Sequence, residues 1–224
     1  MSTRKVSVVM SSAALSSQGT IPTPEQIRAA AKAVGYALGD QDYALVGGAA
    51  CVLLGSTRAT EDVDIVVPKG NTPAARSLLK QQNKYFDVEN KTLHTTYKST
   101  PLVEIEIIAP PALFKEAFDA STPIIIVEGA KVLKPVLILN AKCRSILGRA
   151  EEKKKRCDAT DIQFLLSWCA RNHAYPTSEE VPNASKQFVS WFIQKYGGKD
   201  YWTNAQYDLE IGLFLLSLVQ SPPC

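Results

Sequence analysis

The chain has 224 residues, 46% hydrophobic and 21% charged, a balance that supplies a sizeable buried core and excludes wholesale disorder. The formal net charge of +3 is too small for a dedicated nucleic-acid or membrane-surface binder, so any basic patch must be local. No apolar run has the length to span a bilayer, no secretory signal opens the chain, and the cysteines are odd in number with no C-x-x-C pair; together these predict reduced thiols in a cytoplasmic protein without membrane or zinc partners.

Residues 1–21 are serine-rich with Arg4 and Lys5, a composition shared by flexible tails and organelle transit peptides, and are read as a flexible tail. Thr23-Pro24-Glu25-Gln26 then supplies an N-cap, a proline at the first helical position and a capping-box glutamine. Ile27, Ala31, Val34 and Leu38 repeat at helical spacing before a stop at Gly39. Tyr43 to Val46 is a short apolar run ending at Gly47-Gly48, followed by a small-residue helix over Ala49 to Leu54 and a polar loop to Glu61. Val63 to Val67 is β-branched and reads as a strand.

Farther on, Pro73 to Gln81 reads as a helix, Thr92 to Lys98 and Leu102 to Ile108 as strands, Pro111 to Phe118 as a short helix and Pro123 to Val127 as a strand. From Val136 the pattern predicts helices over Val136–Arg149, Cys157–Asn172, Ser185–Tyr196 and Asn204–Val219. The expected fold is therefore α+β, a mixed sheet flanked by helices over residues 22–134, followed by a helical bundle or lid over 135–224. The run Glu151 to Arg156 reads as a solvated turn or frayed helix end, with phosphate contact as its alternative.

Strand alternation points Asp62 and Asp64 to one face and Val63 to the other, and two like charges side by side require a cation or several donors. The plainer alternative has Asp62 capping a loop and Asp64 paired with Arg58. Glu104 and Glu106 repeat the alternation on the later strand, so a third carboxylate is available from either, although a strand with one wet face shows the same pattern. Gly47 and Gly48 permit close approach of backbone amides to an anion, or serve turn geometry alone.

The segment Leu45-Val46-Gly47-Gly48 with Arg58-Ala59-Thr60-Glu61-Asp62-Val63-Asp64-Ile65 resembles the signature of the DNA-polymerase-β-like nucleotidyltransferases, in particular the small abortive-infection-toxin and antibiotic types. The likeness covers roughly residues 43 to 108, and Lys142, Arg149, Asp158 and Asp161 are similar to a looser pattern downstream of that core. Relatives commonly have aspartate where this chain has Glu106, one methylene longer. The resemblance implies a nucleotidyltransferase mixed sheet and transfer of a nucleoside monophosphate from an NTP to a hydroxyl acceptor, with pyrophosphate released. It implies Asp62, Asp64 and Glu106 as catalytic ligands of Mg²⁺ or Mn²⁺, and Gly47, Gly48, Arg58, Thr60 and Lys142 at the nucleotide. The acceptor, whether small molecule, protein side chain or, less favoured, RNA end, stays open. A catalytically inactive binding or scaffold module is the rival reading.

Overall fold

Capping chemistry sets the first element. The Thr23 hydroxyl accepts from the Gln26 amide at 3.3 Å while the Thr23 amide donates to Gln26 Oε1 at 2.8 Å, so the expected capping box opens helix α1 (Pro24–Leu38). Its apolar stripe, Ile27, Ala31, Val34 and Leu38, is buried, and Gly39 closes it at φ 53°. The computed structural model describes residues 21–215, so the tail expected over 1–21 lies outside it except for Ile21.

The chain continues through β1 (Ala44–Val46), α2 (Gly47–Leu53), β2 (Asp62–Val66), α3 (Thr72–Gln81), β3 (Phe86–Val88), β4 (Thr95–Tyr97), β5 (Val103–Ile108), β6 (Ile124–Val127) and β7 (Ala130–Leu133). These strands form one mixed seven-stranded sheet in the order β3-β4-β5-β2-β1-β7-β6. β2 runs antiparallel to β1 and parallel to β5, which places the acidic strand at the middle of the sheet. A strand covered on both sides by neighbours has its register fixed, because a slip by one residue would turn Val63 and Ile65 out of the core and the aspartates into it.

Helices α4 (Pro135–Gly148), α5 (Glu152–Arg171), α6 (Lys186–Tyr196) and α7 (Lys199–Asn204) follow, then a two-stranded hairpin of β8 (Tyr207–Asp208) and β9 (Leu213–Phe214). The architecture is the α+β one expected, and one hydrophobic core runs from Ile27 through to Phe214. Trp202 is fully buried among Phe188, Phe192, Tyr207 and Phe214, whose rings approach it edge-on or tilted. No helix among the described residues is long and apolar enough to cross a membrane.

Three expected elements differ. Pro111 to Phe118 forms turns, not a helix: the Lys115 ammonium binds the carbonyls of Pro111 and Ala112 at 3.3 and 2.9 Å, acceptors that a first helical turn would give to backbone amides. Phe114 and Phe118 still anchor the segment in the core. The helix expected over Asn204–Val219 is, as far as residue 215, the β8–β9 hairpin. There the Asp208 carboxylate accepts from the amides of Glu210 and Ile211 at 2.8 and 3.0 Å, and Gly212 takes φ 80°. Finally, α5 starts at Glu152, so the charged run 152–156 is its first turn and a half instead of a loop.

Candidate active site

The pleat of β2 buries Val63 and Ile65 completely and leaves Asp62 and Asp64 on the opposite face. On the neighbouring strand Val46 stands level with Asp64, so the turn leaving β1 passes directly under that carboxylate. Gly47 holds φ 64° there, and a Cβ on it would lie 2.1 Å from Asp64 Oδ2. A Cβ on Gly48 would meet Thr60 Oγ1 at 2.5 Å and Arg58 Nη2 at 2.6 Å. The two glycines thus make room for the chain's own Asp64, Thr60 and Arg58.

The parallel pairing of β2 with β5 sets Asp62 level with Glu104 and Asp64 level with Glu106. Glu106 shares a cavity with Asp64. Glu104 instead turns its carboxylate to His94 Nδ1 at 3.1 Å and lines none of the clefts described below. The register brings both glutamates level with an aspartate, and of the two only Glu106 shares a cleft with one. Thr60 Oγ1 donates to Asp62 Oδ1 at 3.2 Å and so orients it. Burial pushes the Asp64 carboxyl up to about 8, reinforced by the charges of Asp62 and Glu106 and a hydrogen bond with Glu106, and only partly opposed by Lys142. Asp64 therefore holds a proton well above the range of an ordinary carboxylic acid.

Behind the carboxylates lies an ion network that joins the loop before β2 to the two long helices. Arg58 binds Asp161 through Nε and Nη2 at 2.7 and 2.9 Å, a bidentate fork. Lys142 on α4 donates to Asp158 at 2.7 Å and to Asp161 at 2.8 Å, both on α5. Asp158 also accepts from Ser145 Oγ at 3.0 Å and Arg149 Nε at 2.9 Å. Asp158 and Asp161 are buried, not the surface partners their spacing on an amphipathic helix implies, because α4 and α5 pack along this face. Burial alone would lower the Lys142 pKa, but Asp161 and Asp158 outweigh it and hold the ammonium charged. The alternative pairing of Arg58 with Asp64 is not formed.

Two clefts open on the carboxylates. One, of about 560 Å³ and called the polar cleft for its many charged residues, is lined by Thr60, Asp62, Asp64, Arg149, Lys153 and Lys154 among others. The second, of about 290 Å³, has Asp64 and Glu106 at one side and an apolar wall of Ile108, Leu113, Phe114, Leu133 and Ile138. Asp64, Lys142 and Arg149 belong to both. Lys153 and Lys154 belong to the charged run whose alternative reading is phosphate contact; starting α5 at Glu152 brings them to the polar cleft. Leu113 and Phe114 carried no sequence signal beyond being apolar.

No protein-family model and no curated protein matches the chain. It superposes on the crystal structure of an antigenic nucleotidyltransferase-like protein from Paracoccidioides brasiliensis with a TM-score of 0.63 and 22% identity, over 90% of this chain and 100% of that one. It also superposes on JHP933 from Helicobacter pylori with a TM-score of 0.54 and 17% identity, over 83% and 81% of the two chains. The chain has the nucleotidyltransferase fold.

The resemblance to nucleotidyltransferases implies a divalent metal, and the donors here can be tested against it. Among the described residues no three His, Cys, Asp or Glu side chains close into a ready-made metal cage. The chemistry nonetheless fits Mg²⁺. A carboxyl pushed up by burial and by the charges of two neighbouring acids marks a place where a cation would relieve repulsion. Magnesium takes one or two protein carboxylates and completes its shell with water and phosphate oxygens, so an open, oxygen-only arrangement suits it. In the nucleotidyltransferase fold the residues that would hold it are Asp62, Asp64 and Glu106.

Proposed function

We propose that this protein transfers a nucleoside monophosphate from an NTP to a hydroxyl acceptor and releases pyrophosphate. The observation that carries the reading is the register of β2 against β5, which faces Asp64 with Glu106 beside Asp62, over the Gly47 turn. The nucleotidyltransferase fold supports it.

In this reading the acceptor oxygen attacks the α-phosphorus, the bond from that phosphorus to the β-bridging oxygen breaks, and the hydroxyl proton passes to Glu106 as general base. Bound Mg²⁺ would neutralise triphosphate charge and lower the pKa of the attacking hydroxyl. Asp64, Asp62 and Glu106 would hold the ion, Asp64 as its carboxylate, and Thr60 keeps Asp62 turned toward the cleft. Arg149, Lys153 and Lys154 face the polar cleft and offset charge that collects on the departing pyrophosphate.

The reading also revises two expected roles. Arg58 and Lys142 are tied to Asp161 and Asp158, so they hold the cleft wall in shape and act on the nucleotide through their field more than by contact. Calorimetric titration with ATP, GTP, CTP and UTP, with and without Mg²⁺, tests the proposal. Metal-dependent binding that disappears in the Asp62→Asn/Asp64→Asn double variant is the expected result. Nucleotide transfer retained by Asp64→Asn would remove its foundation.

A further inference from the structure

The two clefts are unlike in size and chemistry, and their division among the three acids is asymmetric. Asp62 lines the polar cleft only, Glu106 lines the apolar one only, and Asp64 stands on the ridge between them. An in-line displacement at phosphorus needs the leaving group and the nucleophile on opposite sides of the reacting atom. The larger cleft holds the two exposed lysines of α5 and has room for a triphosphate. The smaller, with the general base at its edge, is left for the acceptor.

Resting on the transfer reading above, we propose that the acceptor is a compact, largely apolar hydroxylated molecule, aromatic or alicyclic, neutral or singly anionic. The cleft is at the lower end of the size range for small-molecule sites and has the character of one, an apolar wall facing a few convergent polar groups. Ile108, Leu113, Phe114, Leu133 and Ile138 form its apolar wall, and Lys142, Ser145 and Arg149 beside them are already bonded to Asp158, so a sugar or a polyamine would find few partners for its polar groups. Among the described residues Asp64 and Glu106 are the acids that line it, both committed to the reacting end, while Lys142 and Arg149 are paired with Asp158 and Asp161; no carboxylate is left over to bind a polycation. Leu113 is 73% exposed at the rim and Phe114 is buried beneath it, so an apolar ring passing the rim lands on aromatic and aliphatic carbon.

The test separates donor from acceptor. Transfer of label from α-³²P-labelled NTPs is measured onto a panel of compact phenols and alicyclic alcohols, onto kanamycin as a polycation and onto a short RNA with a free 3′-hydroxyl. Mg²⁺-dependent NTP binding is measured in parallel. The expected result is label on the phenols or alcohols alone. A Leu113→Asp variant, altered at an exposed position, is then expected to raise the KM of that acceptor at least about fivefold with the NTP dissociation constant unchanged. Label on kanamycin or RNA, or no label on any phenol or alcohol while NTP still binds, overturns this inference and leaves the transfer reading standing. So does a Leu113→Asp variant that weakens NTP binding instead, since the apolar cleft would then hold the base. Absence of Mg²⁺-dependent NTP binding overturns both.

Discussion

Asp64 and Glu106 stand level with one another on parallel neighbours β2 and β5, and burial, reinforced by the charges of Asp62 and Glu106, keeps a proton on Asp64 well above the usual carboxylate range. A cation entering between them must displace that proton. Mg²⁺ binding is therefore expected to tighten as pH rises through about 8 and to fall by up to about tenfold per unit below it. Titration at pH 7 in two buffers of different ionisation enthalpy should report close to one proton released per ion bound. Binding independent of pH between 6 and 8 would contradict this.

The same proton sets a stability trend. The folded-state pKa of Asp64 is raised above its ordinary value of 3.8, so between about 4 and 8 the folded chain binds more protons than the unfolded one, and stability contributed at acid pH is lost as pH rises through that window. Asp64→Asn removes the ionisable group. In the absence of metal it is expected to raise Tm by roughly 2–6 °C at pH 8 and to abolish any further rise on adding Mg²⁺. Thermal melts of both proteins at pH 5 and pH 8, with and without Mg²⁺, check the sign.

Gly47→Ala places a methyl where Asp64 Oδ2 now sits, at a backbone φ of 64°. Both effects act against it. The expected outcome is a loss of about 1–2 kcal/mol in stability from the backbone alone and at least about a hundredfold in transfer rate, because a displacement of the order of an ångström at a reacting group has that cost. Chemical denaturation and single-turnover rates on one preparation separate the two.

Asp161 is completely buried and answers both Arg58 and Lys142. Asp161→Asn leaves two cations facing a neutral amide and is expected to destabilise the fold by about 3–5 kcal/mol, the loss usual when one partner of a buried pair is removed. Urea unfolding measures this; a change below about 1 kcal/mol would mean that the network is solvated.

Lys153 and Lys154 are exposed on the first turn of α5, beside the polar cleft. A Lys153→Ala/Lys154→Ala double variant is expected to raise the NTP KM about fivefold at low ionic strength, with the difference shrinking in salt and Tm unchanged. The salt series distinguishes charge attraction from a structural effect.

Much of this site was legible along the chain because it depends on local periodicity. The alternation in Asp62-Val63-Asp64 and in Val103-Glu104-Ile105-Glu106 fixes which side chains share a face of a strand, and the capping box at Thr23 fixes where α1 begins. Signals that compete locally were misread. The Asp208 and Gly212 turn competes with the apolar spacing around it, and Pro111 reads as a helix start although the Lys115 ammonium takes the carbonyls a first turn would use. β3 and β7 escaped as short strands whose pairing, not composition, makes them strands; the Glu128-Gly129 turn, with both residues at positive φ, was the signal available for β7.

The sequence by itself determined that two carboxylates of one strand share a face and that a glycine pair precedes them, because covalent geometry makes these consequences of spacing. Only the tertiary structure decided that Glu106 and not Glu104 joins them, that Arg58 and Lys142 spend their charge on Asp161 and Asp158, and that an apolar cleft adjoins the acids on one side. Strand register and helix packing bring together residues far apart in the chain, and nothing in the local pattern of either partner specifies which distant residue will stand opposite it.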